Sequence, residues 1–154
     1  NLRTLGLAGV GLGDMVMRLF GQGQGLASLT SLDLGFNQLS DRGLLDLFAV
    51  YSPTNLRELK LSGNRLTNSS GFAIANRGDL ENLRVLDLRI NNLGVRTVEV
   101  LCRVLTKSGC SIEVLALDRN RLGERGGRGS EDVLGECGDG RGECGSGVSP
   151  VSAF

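Results

Sequence analysis

The chain has 154 residues, enough for one domain, and its 17 lysines and arginines balance its 17 aspartates and glutamates. A net charge of zero argues against a broad nucleic-acid-binding or membrane-binding surface, because both need an excess of basic residues. The sequence contains no histidine, the most common general base and metal ligand, and no run of 18 apolar residues that could cross a membrane.

One pattern recurs five times along the chain. It reads L-x-x-L-x-L-x-x-N-x-L, and its copies begin at Leu2, Leu29, Leu56, Leu83 and Ile112. Successive copies start 27 residues apart, and the last follows after 29. A period in this range with this pattern is typical of a leucine-rich-repeat solenoid. The sequence therefore predicts a repeat array over residues 1–126. Since the chain opens in repeat phase without an initiating methionine, we expect it to be a fragment of a longer array.

The first half of each copy predicts a short β-strand with one buried face. In the third copy Leu59 and Leu61 point to one side and Lys60 points to the other. The asparagine that follows can donate and accept hydrogen bonds, so it can satisfy backbone groups where the chain turns. Stacked copies predict a structural ladder of asparagines at Asn37, Asn64, Asn91 and Asn120. Val10 takes this place in the first copy, where we expect a looser turn.

The second half of each copy predicts a helix with an apolar stripe, and Ser40 or Asp41 can cap the second of these helices. The expected core stripes are Met15, Leu19 and Phe20; Leu44, Leu47, Phe48 and Tyr51; Phe72, Ile74 and Ala75; and Val98, Leu101, Cys102 and Leu105.

Strands alternating with helices predict an α/β solenoid, a parallel sheet lined on one side by helices. Strands stack about 4.8 Å apart, whereas packed helices need roughly 9 Å. This mismatch should bend the stack into part of a horseshoe, with the strands on the concave side and the helices on the convex side.

The pattern and its helical second half resemble the ribonuclease-inhibitor-type leucine-rich repeats, which include ribonuclease inhibitor, NOD-like receptors and the Ran GTPase-activating protein. That group carries a glycine early in the helix, matched here by Gly43 and less closely by Gly71 and Gly126, whereas Val16 and Thr97 depart from the pattern. The resemblance implies a mostly intracellular, cytoplasmic protein that recognises another protein, and it does not identify that partner.

The outward positions of the strands should form one exposed face on the concave side. If Asp33, Lys60 and Asp87 lie one strand spacing apart, they favour a neutralising charge ladder, with a charged recognition strip as the alternative. Exposed Phe36 and Ile90 favour contact with a partner. The candidate partner-binding residues are Asp33, Phe36, Glu58, Lys60, Asp87, Arg89, Ile90, Asp118 and Arg119.

Signals for catalysis are poor. Asp33 and Asp87 would lie roughly 9 to 10 Å apart, a separation that inverting glycoside hydrolases use, but Lys60 between them would keep both ionised. We therefore expect a module that is not an enzyme and that takes no cofactor, metal or small-molecule substrate.

The repeat pattern ends near Gly123, and residues 127–154 form a glycine-rich tail that we expect to be largely disordered. The four cysteines lack the C-x-x-C spacing of zinc or redox sites and are interpreted as reduced thiols, structural or incidental: Cys102, Cys110, Cys137 and Cys144.

Three functions remain open after these observations. The most direct is a protein-interaction module that binds through the concave strand face. The alternatives are a GTPase-activating protein resembling the Ran regulator and the ligand-sensing end of a NOD-like receptor.

Overall fold

The structure, a computed structural model, describes residues 2–20, 24–50, 52, 54–77, 81–105 and 111–123. In these ranges short strands alternate with helices: β1 Thr4–Gly6, α1 Gly13–Phe20, a 3-10 helix Gln24–Ser28, β2 Ser31–Asp33, α2 Asp41–Val50, β3 Glu58–Lys60, α3 Asn68–Ala75, β4 Val85–Asp87, α4 Val95–Leu105 and β5 Val114–Ala116. The strands form one parallel sheet in chain order. The predicted α/β leucine-rich-repeat solenoid is confirmed, because β3 and β4 are neighbours that run in the same direction.

The core consists of leucines stacked in register between successive repeats. Leu32 pairs with Leu59 across the sheet, Leu59 pairs with Leu86, and all three side chains are buried. The inner repeats bury every leucine of the pattern: Leu29, Leu32, Leu34 and Leu39; Leu56, Leu59, Leu61 and Leu66; Leu83, Leu86, Leu88 and Leu93. Each strand buries its apolar face against the next repeat, so the hydrophobic contribution to stability belongs to pairs of repeats.

The outer repeats are less well buried than the inner ones. Leu5 and Leu115 occupy the same strand position as Leu59 but are only partly buried, and Leu2 is 48% exposed. Among the described residues, each outer repeat has a neighbouring repeat on one side only. A solenoid core is therefore tightest in its middle.

The asparagines after the strands hydrogen-bond the backbone of two repeats at once. Asn64 Nδ2 donates to the Leu61 carbonyl of its own repeat at 2.9 Å and to the Leu34 carbonyl of the preceding repeat at 3.0 Å. Its Oδ1 accepts from the amides of Asn37 at 3.1 Å and Leu39 at 3.0 Å. These bonds satisfy buried backbone groups that a turn leaves without a sheet partner, and they fix the register between repeats.

The same arrangement recurs along the stack. Asn37 Nδ2 donates to the Leu7 carbonyl at 2.7 Å, and Asn91 Nδ2 donates to the Leu61 carbonyl at 2.9 Å. Asn120 Nδ2 likewise donates to the Leu88 carbonyl at 2.9 Å. In the first repeat, where Val10 replaces the asparagine, Val10 is exposed and glycines with positive φ lie on both sides of it.

A second ladder joins the amino-terminal ends of the helices. Asp14 accepts from the Ser40 amide at 2.8 Å and from the Ser40 hydroxyl. Asp41 accepts from the Thr67 amide at 2.8 Å, the Thr67 hydroxyl at 2.6 Å and the Ser70 hydroxyl. Since the first backbone N–H groups of a helix have no partner within it, the preceding repeat here supplies acceptors for the next one.

Asn68 continues this helix-capping ladder into the fourth repeat. Its Oδ1 accepts from the Gly94 amide and from the Thr97 hydroxyl, both at 2.8 Å. Ser40 and Asp41, the two residues predicted as caps of α2, have different structural roles. Ser40 Oγ accepts from the Arg42 amide at 3.2 Å and caps its own helix, whereas Asp41 stabilises the start of the next one.

Small residues stand where the helices approach each other. Gly43 leaves no room for a Cβ because Asp14 lies against it, and Ser70 and Thr97 occupy the same position in the next two repeats. Thr97 also lies against Gly71, where a Cβ would clash with its side chain. Thr97, which departs from the family's glycine, is therefore accommodated by a hydrogen bond to Asn68.

Two expected core residues are exposed. Met15 is 89% exposed while Met17 is buried, and Cys102 is exposed while Leu101 is buried. Residues two apart on a helix face nearly opposite sides, so the periodic pattern alone could not choose between Met15 and Met17. In α4 the buried line runs through Thr97 and Leu101, because Thr97 is drawn against the preceding repeat by Asn68, and Cys102 is turned outward.

Several predictions lie outside the described residues: the side chains of Leu19, Phe20 and Leu105, the residues Tyr51 and Cys110, and the glycine-rich tail with Cys137 and Cys144. The boundary between an array at 1–126 and a tail at 127–154 therefore stays a prediction. None of the helices described is long and apolar enough to span a bilayer.

We predict that Leu59→Ala costs about 2–5 kcal/mol of unfolding free energy, because the cavity would open in the tightest part of the core. The same substitution at Leu5, an equivalent but partly exposed position, should cost clearly less. Urea unfolding followed by circular dichroism would measure both. Equal losses at the two positions would contradict a core that depends on stacking from both sides.

We predict that Asp41→Ala costs about 1–3 kcal/mol, because it leaves donors at the start of α3 without their acceptor. Asp41→Asn keeps one carbonyl acceptor and should cost less. Glu99→Ala removes an exposed carboxylate from α4 and serves as the control, with an expected change within about 0.5 kcal/mol. If the Asp41→Ala protein is as stable as the control, the capping ladder does not contribute measurably to the free energy of unfolding.

Candidate protein-recognition surface

The residue just before each position of the asparagine ladder adopts a left-handed backbone conformation. The φ values are 71° at Gly9, 54° at Phe36, 67° at Gly63, 53° at Ile90 and 58° at Arg119. The repeat pattern predicted Phe36, Ile90 and Arg119 as outward positions of the strands, whereas the structure places them in the turns that follow. This conformation suits glycine and is unfavourable for bulky or β-branched side chains, so Phe36 and Ile90 are held there at a cost.

Backbone hydrogen bonds to the next repeat hold these turns in place. The Phe36 amide donates to the Ser62 carbonyl at 2.8 Å, and the Ile90 amide donates to the Asp118 carbonyl at 3.0 Å. The parallel ladder thus continues past the ends of the short strands. These bonds fix the backbone of the turn, and with it the point from which each side chain projects.

An apolar strip lies along these turns. The Phe36 side chain is 55% exposed and the Ile90 side chain is 38% exposed. The Phe36 ring lies over Gly63 of the next repeat, where an added Cβ would collide with it, and Ile90 occupies the same turn position one repeat further on. We call this strip of Phe36, Gly63 and Ile90 the apolar edge. Large apolar side chains that remain exposed in a group are typical of contact surfaces.

The charges of β3 are paired with one another. Lys60 Nζ lies 3.3 Å from Glu58 Oε1, and Ser31 Oγ donates to Glu58 Oε2 at 2.6 Å. The hydrogen bond from Ser31 lowers the pKa of Glu58, burial opposes it, and Lys60 lowers the pKa further. Lys60 thus pairs with a carboxylate of its own strand, whereas the sequence placed it in a ladder with Asp33 and Asp87.

Asp87 and Arg89 form a bidentate ion pair. Arg89 Nε donates to Asp87 Oδ1 at 2.9 Å, and an Arg89 terminal nitrogen donates to Asp87 Oδ2 at 2.6 Å. Burial acts to raise the pKa of Asp87, but the hydrogen bonds and charge of Arg89 outweigh it and hold this pKa below its usual value. Asp87 is only 5% exposed, so it positions Arg89 more than it presents a charge to a partner.

The remaining charged candidates differ in accessibility. Asp33 is half-buried, and its Oδ1 accepts from the Gly35 amide at 2.9 Å, as Asp87 does from the Arg89 amide at 3.0 Å. Both aspartates thereby stabilise the turn after their strand. Asp118 and Arg119, by contrast, are exposed at the end of β5. The structure brings the nine predicted residues onto one side of the array but does not expose them equally.

The other edge of the sheet holds residues that the sequence-based prediction missed. Arg3 and Arg57 line a cavity of about 450 Å³ beside the amino-terminal ends of the strands. A repeated Leu-Arg at the start of the pattern, in Leu2-Arg3 and Leu56-Arg57, was the available signal. Among the described residues no group of three or more cysteine, aspartate or glutamate side chains could hold a metal ion.

A family model described as leucine-rich repeat matches residues 25–48 and 52–75. These two segments contain β2 with most of α2, and β3 with all of α3.

Proteins with similar sequences occur in mammals. The chain is 41% identical over 95 residues to the NACHT, LRR and PYD domains-containing protein 14 of Homo sapiens, a match covering 59% of this chain and 9% of that protein. It is 36% identical over 98 residues to the NACHT, LRR and PYD domains-containing protein 3 of Homo sapiens, a match covering 62% of this chain and 10% of that protein. It is 38% identical over 97 residues to the NACHT, LRR and PYD domains-containing protein 9B of Mus musculus, a match covering 58% of this chain and 9% of that protein.

The chain thus spans about a tenth of the length of these relatives. The family model, the identities and the parallel register of the strands agree with one another. The chain thus carries leucine-rich repeats, and its sequence is similar to segments of NACHT, LRR and PYD domains-containing proteins.

Proposed function

We propose that this chain is a non-catalytic recognition module that binds another protein through the apolar edge and the adjoining strand face. The contact surface comprises Asp33, Phe36, Glu58, Lys60, Asp87, Arg89, Ile90, Asp118 and Arg119. The leucine-rich repeats and the similarity to these relatives support a protein-interaction or ligand-sensing module in general, without identifying its binding face.

The observation that carries this proposal is the pair of exposed apolar side chains in left-handed turns. At Gly9 and Gly63 the same turn position holds glycine, which adopts this conformation without strain. At Phe36 and Ile90 the chain instead presents a large side chain to solvent. Both side chains stay partly exposed in a backbone conformation that is unfavourable for them, and contact with a partner is the reason we propose for this cost.

The charges of the strand face would then form the rim of the interface. Lys60 and Arg89 are already paired on their own strands, so a partner would gain little from neutralising them. Asp118 and Arg119 are exposed and lie one repeat beyond Ile90, where they could select a partner of suitable charge. Affinity would come from the apolar edge and orientation from this rim.

The names of the relatives favour a more specific second proposal. These proteins combine the repeats with NACHT and PYD domains, and the chain resembles about a tenth of their length. We propose that the chain is part of the ligand-sensing end of such a receptor, located in the cytoplasm. The alternative of a GTPase-activating protein stays a prediction from the sequence.

We predict that the double variant Phe36→Asp and Ile90→Asp loses its protein partners while the fold persists. Aspartate tolerates the left-handed conformation better than phenylalanine or isoleucine, so the substitutions should not strain the turns. Affinity capture with quantitative mass spectrometry, repeated with the wild-type chain, would identify the proteins whose recovery drops. Binding to a partner so identified should weaken by at least about tenfold, the loss expected on removing a central apolar contact.

Leu45→Asp provides the matched control, because Leu45 is a similarly exposed apolar residue on the helix side of the array. It should leave partner recovery unchanged. Equal recovery by the double variant and the wild type would remove the apolar edge from the binding surface. Urea unfolding of all three proteins would separate lost binding from lost folding.

The receptor proposal has a separate test. We predict that sequencing the transcript beyond both ends of this segment reveals further repeats in the same phase, and a nucleotide-binding P-loop motif, G-x-x-x-x-G-K-[ST], upstream. A transcript that encodes the repeats without any such domain would contradict the receptor proposal and leave the recognition proposal standing.

A further inference from the structure

The cavity at the amino-terminal edge of the sheet has the composition of an anion-binding site. Its volume is about 450 Å³, within the range of small-ligand sites. The residues that line it are Arg3, Ser28, Thr30, Asn55, Arg57 and Asn82. They include two arginines and no carboxylate, although the chain as a whole has no net charge. The cavity lies at the opposite end of the strands from the apolar edge.

The repeat register places the two arginines on either side of a small residue. Arg3, Thr30 and Arg57 directly precede the paired residues Thr4, Ser31 and Glu58 of three successive strands, so the arginines are two strand spacings apart, about 9 to 10 Å at the backbone. The Thr30 amide donates to the Arg3 carbonyl at 2.7 Å, and the Arg57 amide donates to the Thr30 carbonyl at 2.8 Å. The short side chain of Thr30 leaves the space between the long ones open.

The two arginines have no ion-pair partner among the described residues, in contrast to two other arginines of the array. Arg84, at the same position one repeat after Arg57, lies 2.9 Å from Glu113, and Arg89 pairs with Asp87. Two unneutralised guanidinium groups beside one cavity attract an anion and suppress the binding of cations. Arginine stays protonated at any physiological pH, so this attraction is permanent.

Side-chain amides and a hydroxyl add further donors around the cavity. Asn55 Nδ2 donates to the Ala27 carbonyl at 3.0 Å, and Asn82 Nδ2 donates to the Thr54 carbonyl at 2.9 Å. Each amide is thereby held in place with a second N–H remaining. The Ser28 hydroxyl is a third donor, whereas the Thr30 hydroxyl already donates to the Arg3 carbonyl at 3.1 Å. Such a set suits a group with several acceptor oxygens and more than one negative charge.

We propose that this cavity binds a phosphate monoester, with Arg3 and Arg57 holding its oxygens from two sides. A monoester carries three acceptor oxygens and about −1.5 to −2 charge at pH 7, which matches two arginines better than a single carboxylate does. The proposal does not rest on the recognition proposed for the apolar edge, because the two surfaces share no residue.

The test uses the whole chain in a phosphate-free buffer and two probes. Inorganic phosphate is titrated by ³¹P NMR, and a fluorescein-labelled Gly-Ala-phosphoserine-Ala-Gly peptide is titrated by fluorescence anisotropy, beside the same peptide without phosphate. We expect both phosphates to bind and the plain peptide not to bind. Tighter binding of the phosphopeptide assigns the cavity to a modified protein side chain, and equal or tighter binding of inorganic phosphate assigns it to a small phosphate.

Arg3→Gln and Arg57→Gln should each weaken binding by about tenfold or more, the loss expected on removing charge-assisted hydrogen bonds. Arg84→Gln changes the same repeat position but removes an arginine that is already paired and outside the cavity, so it should leave binding unchanged. Thermal unfolding would verify that all variants fold. Absence of binding by both phosphates, or equal losses for Arg57→Gln and Arg84→Gln, would overturn the proposal.

The charge of the ligand supplies a further criterion. A phosphate monoester loses its second negative charge near pH 6, whereas the arginines keep theirs. Binding should therefore weaken between pH 7.5 and pH 5.5. Affinity for inorganic phosphate that stays constant over this interval would contradict recognition of the dianion by two arginines.

Discussion

Every feature of this protein depends on the stacking of one repeat on the next in a fixed register. A single strand of three residues cannot bury its leucines alone, and the turn after it leaves backbone groups without partners. Leu59 is buried because Leu32 and Leu86 flank it, and Asn64 bonds carbonyls of two repeats. Hydrophobic burial and hydrogen bonding therefore select the same 27-residue offset, which makes the register cooperative.

The helix side of the array obeys the same constraint by different chemistry. Asp41 and Asn68 each cap the following repeat, so the start of one helix is completed by the helix before it. Gly43, Ser70 and Thr97 stay small or polar because that capping side chain lies against them. The strands and the helices are thus both held from repeat to repeat, by different residues of the same period.

Fixing the scaffold in this way leaves two edges of the sheet free to differ from repeat to repeat. At the carboxyl-terminal ends of the strands the turn position alternates between glycine and large side chains, which produces the apolar edge. At the amino-terminal ends the position before the strand holds Arg3, Thr30 and Arg57 in three successive repeats, and these residues line a polar cavity. The consensus leucines and asparagines belong to the scaffold, and the residues between them define these surfaces.

The sequence by itself determined the fold, because a repeated pattern of leucines and asparagines admits one way of burying its apolar face and satisfying its turns. It also singled out Phe36 and Ile90 as exposed apolar residues, although it placed them on the strands and not in the turns that follow. It did not determine which side of a short helix faces the core, so Met15 was expected inside and is exposed. That choice depends on the capping contacts between repeats.

Only the tertiary structure decided how the charges pair and where the cavity lies. Lys60 could have paired with Asp33, Asp87 or Glu58, and side-chain geometry selects Glu58. Arg84 pairs with Glu113 at the same position of the next repeat, whereas Lys60 pairs within its own strand. Pairing between long side chains depends on ångström-scale geometry that a residue pattern does not encode, whereas the stacking of leucines follows from periodicity.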